Sequence, residues 1–342
     1  MVELKKILNN RTYLMGIACI LILIFHSNLP VINANIIKRH LYIGVDIFLF
    51  LSGIGIAQTL SKPKTKKEFY KSRLMKILPI SLPLIVIFSL LMYQYVDDFT
   101  VKEFYHQTTL TNFILLKGNY NVYLWYIPTI LIYYFISPYI YNFYTKKENK
   151  LKSFITLMMI CSLLIMFTLP RGTFEKYSYF TNRLPIYIIG LIYGIRIKNN
   201  EKCSPWELVF MFFSSIVSLG IIYIFNTEYE TLNTLVKIIS FIPITISISI
   251  LISNYIEYLK LKNRDKYIEF LKVIGTYTLA IYTSHEALLF IIKGISKQHN
   301  IKNIVIENPY IYALVIAIVA ILFSILWTKF INYLKDNKTQ TE

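Results

Sequence analysis

His26 closes a run of apolar residues, Tyr13 to Phe25, that would otherwise suit the interior of a bilayer. Asp46 sits inside the next hydrophobic stretch, Leu41 to Leu60, within Ile43-Gly44-Val45-Asp46-Ile47-Phe48. An ionisable side chain at the bilayer centre costs about 2.5 kcal/mol or more, so such groups face a bundle interior and mark function. A carboxylate that takes the proton on one imidazole nitrogen fixes the tautomer and makes the other nitrogen a better base. His26 and Asp46 are therefore the expected catalytic residues, at similar depth because the two segments run in opposite directions. A later segment contributes Tyr282-Thr283-Ser284-His285-Glu286. Ser284 and His285 are no nucleophile–base pair, because successive residues on a helix point about 100° apart. His285 and Glu286 are expected to line a polar cavity or bind substrate hydroxyls, with an interhelical hydrogen-bonding pair as the alternative. Finally, Arg73 and Lys76 lie three apart on one helix face. Two cations so placed could hold phosphate groups or anchor the chain to lipid headgroups.

The elements that must position these groups are membrane helices. The chain of 342 residues is 55% hydrophobic with mean hydropathy +0.51, which excludes an ordinary soluble domain. A bilayer crossing takes about 20 apolar residues. Ten segments approach that length: 12–29, 41–60, 77–95, 121–142, 151–169, 183–197, 205–225, 235–257, 269–292 and 308–333. The sixth is short and carries Gly190 and Gly194. The expected architecture is an all-α polytopic membrane helix bundle of about ten transmembrane helices. It forms one domain over 1–342, with no appended soluble domain, so any chemistry falls to the bundle and its loops.

A net charge of +17 suits nucleic acid at first sight, but its distribution argues otherwise. With the N-terminus inside, about two-thirds of the Lys and Arg fall on cytoplasmic segments, which is the positive-inside pattern. Membrane lipid rather than nucleic acid is the expected partner, in a multi-pass cell-membrane protein with both termini cytoplasmic. The run after Lys5 and Lys6 lacks the small-residue cleavage pattern of a secretory signal. Cys19, Cys161 and Cys203 are scattered, with no CxxC and no His at metal-ligand spacing, so neither a disulfide framework nor a zinc site is expected. No internal repeat of the transporter type is visible.

Two connecting segments stand out. Ser61 to Lys76 holds seven basic residues and one acidic one; Pro63 marks a turn, and a helix from Glu68 leads into the third span. Thr100 to Leu116 has apolar residues near helical spacing, including Phe104, Leu110, Phe113 and Ile114, and reads as an amphipathic segment at the outer interface. His106 within it reads as a surface residue. The 28 tyrosines are explained mostly by aromatic belts, as at Tyr139, Tyr141 and Tyr144.

Taken together, these motifs resemble the acyltransferase-3 family of integral membrane acyltransferases, which includes bacterial surface-sugar O-acetyltransferases. The likeness runs from about residue 11 to residue 330. Gly16 to His26 resembles the family's first helix with its terminal His, and Tyr42 to Gly53 its glycine-valine-aspartate signature. Arg73-Leu-Met-Lys76-Ile-Leu-Pro79 resembles its paired basic motif before proline. Leu124-Trp-Tyr-Ile-Pro128, Leu184 to Gly190 and Ile274 to His285 follow in the family's order. Met15 replaces the Arg usual eleven positions before the His, and Arg11 lies one helical turn earlier on the same face. Lys76 replaces a usual Arg, keeping the charge but losing the bidentate fork.

The resemblance implies acyl-CoA, with acetyl-CoA first in line, as donor, and a hydroxyl of a cell-surface carbohydrate or its lipid-linked precursor as acceptor. It implies donor phosphates held at Arg73, Lys76 and Arg11, and an acceptor held near Trp125, His285 and Glu286. The eleven residues from Met15 to His26 span about 16 Å of helix, a length comparable to a pantetheine arm. His26 is then general base or transient acyl carrier. A proton-coupled transporter or flippase of a lipid-linked sugar or small solute is the rival reading of the same intramembrane His and Asp.

Overall fold

The computed structural model describes residues 2–27, 40–63, 65–111, 124–168, 177–224, 230–298 and 309–341. The chain is helical almost throughout. In order it forms β1 (Val2–Glu3), α1 (Lys5–Asn9), α2 (Arg11–His26), α3 (Ile43–Leu60), α4 (Lys66–Tyr95), α5 (Val101–Thr108), α6 (Tyr126–Lys146), α7 (Lys150–Thr168) and α8 (Ser178–Thr181). There follow α9 (Leu184–Lys198), β2 (Lys202–Cys203), α10 (Pro205–Ile224), α11 (Glu230–Leu261), a 3-10 turn (Asp265–Ile268), α12 (Glu269–Thr276), α13 (Thr278–Gln298) and α14 (Pro309–Thr341).

Among the described residues, helix is found within each of the ten segments expected from the sequence. Among the described residues, five stretches are long and apolar enough to cross a membrane: Ile43–Leu60, Lys66–Tyr95, Lys150–Thr168, Leu235–Leu261 and Ala313–Asn337. The others are shorter or less apolar. Leu163, Met166, Phe210 and Leu326 are exposed on these helices, which suits a lipid-facing surface. The ninth expected span is two helices rather than one. α12 and α13 meet at Tyr277, whose N–H tightens onto Ile274 O, while the Thr278 hydroxyl caps Gly275 O.

The chain divides into two compact units. The first comprises Met1–Ala18, Ile43–Tyr70 and Thr129–Lys272. Its centre is α3, buried over most of its length, packed along α9. Gly190 and Gly194 form a G-x-x-x-G face, the pattern that lets membrane helices approach backbone to backbone. A Cβ on Gly190 would lie 2.2 Å from Phe50 O, and one on Gly53 would lie 2.4 Å from Tyr187 O. The two residues that weaken the sixth segment as an apolar span are thus what seats it. Polar ties assist: Ser137 and Tyr187 hydroxyls pair at 2.6 Å, and those of Ser215 and Ser247 at 2.9 Å. Such interhelical bonds contribute about 0.6 kcal/mol each on average.

The second unit comprises Cys19–Tyr42, Lys71–Pro128 and Val273–Glu342. Here α13 packs on α14, with Ser284 and Ser324 hydroxyls 3.3 Å apart, and α13 approaches the end of α4 at Gly294. A Cβ there would meet Tyr95 O at 2.0 Å. Trp327 Nε1 donates to Ile80 O at 2.9 Å. Pro79 has no N–H, so Met75 O loses its helical donor, and Lys335 Nζ lies 3.5 Å from it.

The basic segment before the third span is shaped as its sequence suggests. Thr65 and Glu68 form a reciprocal capping box: Glu68 N–H donates to Thr65 Oγ1 at 3.2 Å and Thr65 N–H to Glu68 Oε2 at 2.9 Å. From this cap α4 runs unbroken through Arg73 and Lys76 to Tyr95. Of the segment expected to lie at the interface, Val101–Thr108 is helical; Phe113 and Ile114 lie outside the described residues. Gln107 is buried and accepts from the Ser89 hydroxyl, while Val101 and Tyr105 are exposed.

Candidate active site

The last residue of α2 and the middle of α13 meet inside the second unit. His285 and Glu286 are neighbours on α13, and the imidazole of His26 sits against both. His26 Nδ1 lies 3.3 Å from His285 Nε2, and His26 Nε2 lies 3.9 Å from Glu286 Oε2. Neighbours on a helix diverge by about 100°, so one ring nitrogen can face each of them. His285 is 2% exposed, whereas the His26 and Glu286 side chains keep 26% and 19% of their surface open. The reactive edge is reachable and its support is not.

The hydrogen bonds fix which nitrogen of His26 carries the lone pair. His285 Nδ1 faces two carbonyl oxygens, Ile281 O at 3.0 Å and Tyr282 O at 2.9 Å. Carbonyls only accept, so Nδ1 is protonated and Nε2 of the neutral ring is a bare acceptor. His26 Nδ1 in turn faces Ile22 O at 3.1 Å and that bare nitrogen. It therefore holds the proton, and the lone pair of His26 falls on Nε2, the edge turned toward Glu286. A positive charge forming there would feel the carboxylate by about 4 kcal/mol at an effective dielectric near 20. The arrangement suits a general base.

Aromatic rings frame this centre. Phe25 meets His26 edge-on at 4.9 Å between centroids, and the rings of His26 and His285 lie 5.1 Å apart. The Tyr282 ring lies 6.1 Å from His285 and 5.3 Å from Tyr126, whose N–H donates to Tyr282 Oη at 3.2 Å. Trp125 meets Tyr126 edge-on at 6.2 Å. Sequence reasoning does not single out Tyr126 or Tyr282; their signal there is only a place within longer motifs.

Asp46 lies in the first unit, and the partner of its Oδ1 is Arg183 Nη1 at 2.5 Å. Asp46 Oδ2 is buried with no hydrogen-bond partner among the described residues. Arg183 immediately precedes α9 as its N-cap residue, so the G-x-x-x-G packing that seats α9 on α3 also delivers this cation to the carboxylate. Nothing in the spacing of the sequence points to Arg183. Arg11 is also in the first unit, where its Nε donates to Leu51 O at 3.1 Å and its guanidinium lies 3.5 Å from where a Gly55 Cβ would be. Arg73, half-buried, and Lys76, exposed, follow one turn apart on the part of α4 that belongs to the second unit.

One further property of the centre is invisible in the spacing of the sequence. His26, His285 and Glu286 each offer a ligand atom, and these atoms lie within 4.8 Å of one another, so the three could hold a metal ion. The three cysteines are buried free thiols.

Comparison with known proteins adds one finding. The acyltransferase-3 family model, described as an acyltransferase domain, matches residues 12–329. No curated protein and no solved structure matches the chain.

Proposed function

The chain belongs to the acyltransferase-3 family and is a multi-pass membrane acyltransferase; we propose that it moves an acyl group, acetyl first in line, from acyl-CoA to a hydroxyl of a cell-surface carbohydrate or its precursor. The observation that carries this reading is the imidazole of His26, with Nδ1 3.3 Å from His285 Nε2 and Nε2 3.9 Å from Glu286 Oε2.

In the proposed reaction the acceptor hydroxyl gives its proton to His26 Nε2 as its oxygen attacks the thioester carbonyl. The C–O bond forms and the carbonyl π pair moves onto oxygen. The intermediate then collapses, the C–S bond breaks, and the CoA sulfur leaves with the proton returned by the imidazolium. Glu286 stabilises that imidazolium, and His285 keeps the Nδ1 proton in place throughout. Trp125, Tyr126 and Tyr282 supply apolar faces against which a sugar ring can rest. Arg73 and Lys76 hold the phosphates of the donor.

Two measurements test the reading. Purified protein should gain thermal stability from acetyl-CoA or CoA, as any ligand of the folded state confers. A carrier of sugars would gain none. Mass spectrometry of surface glycans from a deletion strain should find acetyl increments missing; unchanged glycans would refute the acceptor class.

A further inference from the structure

We infer that the turn from Leu261 to Lys272, in the first unit, is an in-plane foot that takes the headgroup of an anionic phospholipid. Lys262, Arg264 and Lys266 receive the phosphate, and Tyr267 and Phe270 meet the upper part of the acyl chains. Such a site neither uses nor requires the acyl-transfer chemistry.

The backbone turns abruptly here. α11 ends at Leu261, Arg264 N–H closes onto Leu259 O at 2.8 Å, and Asn263 adopts the left-handed conformation at φ 52°. The chain continues through the 3-10 turn into α12, where three successive residues define three sides, because helical neighbours diverge by about 100°. Leu271 lies against protein: its backbone leaves no room for a Cβ on Gly16 of α2. Lys272 is on the polar side, where its Nζ pairs with Glu269 Oε2 at 3.3 Å. Glu269 Oε1 also accepts from Tyr13 Oη at 2.5 Å, a second tie to α2. Phe270 is on the remaining side and is more than half exposed, as are Tyr267 and Leu261. A short helix with a protein side, a polar side and a bare apolar side suits the plane of a membrane interface.

The end of α11 marks the depth. Tyr255 and Tyr258, both exposed, stack at 6.4 Å in its last two turns, and exposed tyrosines settle at headgroup level. Lys262, Arg264 and Lys266 follow at the turn and are exposed, with Asp265 the one acid among them. Lys260, by contrast, is held within the protein by Asn10 Oδ1 at 2.6 Å. The positive-inside pattern would put this turn on the cytoplasmic side. The leaflet there carries anionic lipid, which attracts Lys and Arg near its surface. A free phosphate would satisfy the three cations and leave Leu261, Tyr267 and Phe270 bare. A phosphate that carries acyl chains meets both.

The test uses the full chain in detergent. Dioleoyl phosphatidylglycerol is the anionic probe and dioleoyl phosphatidylcholine its zwitterionic counterpart, with bound lipids counted by native mass spectrometry over a titration. Saturable binding that favours phosphatidylglycerol is expected. The triple variant Lys262→Gln/Arg264→Gln/Lys266→Gln should lose more than about tenfold in affinity for it. Lys146→Gln/Lys147→Gln/Lys152→Gln removes the same charge from exposed positions at another connection and should bind like the unaltered protein. In vesicles, a nitroxide attached at Phe270→Cys should be open to oxygen and shielded from a water-soluble nickel chelate, and one at Lys272→Cys should show the reverse. No preference for phosphatidylglycerol, or equal loss in the two triple variants, overturns the site. Competition by glycerol 3-phosphate at concentrations matching the lipid overturns the lipid as its occupant. A label at Phe270→Cys as open to the chelate as one at Lys272→Cys overturns the in-plane placement.

Discussion

His285 Nε2 and His26 Nδ1 stand 3.3 Å apart, and because His285 gives its only ring proton to the carbonyls of Ile281 and Tyr282, His26 must be the donor in this contact. A buried ring with no reactive edge of its own thus decides which nitrogen of an accessible ring can act as a base. In this geometry His285 is a positioning residue.

Replacing His285 with Phe removes the acceptor and frees the tautomer. Because acid–base catalysis contributes about 100-fold or more, kcat should fall by about that factor with KM for acyl-CoA within about twofold. His285→Asn, whose carbonyl can accept the same proton, should recover part of the loss. Initial-rate kinetics on the three proteins check this; equal kcat in Phe and Asn variants would leave His285 with packing alone.

Arg73 tests the donor side. Its proposed contact is with donor phosphate in ground and transition state alike, so Arg73→Ala should raise KM for acyl-CoA about tenfold and leave kcat nearly unchanged. An unaltered KM removes Arg73 from the donor site.

The Asp46–Arg183 pair is 2.5 Å long and largely buried. Breaking such a pair by removing one partner costs about 3–5 kcal/mol, because the survivor is left charged and unpaired, while removing both costs far less. Thermal unfolding should therefore rank Asp46→Asn and Arg183→Met below the double variant. A strictly additive double variant would deny the coupling.

The seat of α9 can be probed with glycine. A Cβ at Gly190 would run into Phe50 O at 2.2 Å, whereas nothing lies within 4 Å of a Cβ at Gly220. Gly190→Ala should lose about 1–3 kcal/mol by overpacking, and Gly220→Ala in α10 should be neutral or gain up to about 1 kcal/mol from helix propensity. Melting temperatures in detergent check the contrast, and equal values would contradict the close approach.

Much of this architecture is legible in the amino-acid sequence, and the remainder is hidden there for definite physical reasons. Helix positions follow from apolar runs, and the approach to α4 from Pro63 and the stretch from Glu68, because those signals are local. His26 stands out as a polar group in apolar surroundings. That His285 and Glu286 are its partners does not show: they are some 260 residues away in the chain, and only the meeting of α2 with α13 brings them together. Ligand spacing along the sequence likewise cannot report a three-ligand cluster assembled from two helices. Arg183 as the partner of Asp46 depends on α9 packing on α3, a contact made by the very glycines that weaken that segment's apolar signal. The break at Tyr277 hinges on a side-chain cap, which hydropathy does not read.

Transfer of a labelled acetyl group from acetyl-CoA, measured in vesicles containing either the unaltered chain or His26→Ala, with insertion and folding of both verified, bears most directly on the role of His26. The expected result is a fall of about 100-fold or more, the scale of a lost general base. Transfer by His26→Ala at a rate comparable to the unaltered protein would contradict it.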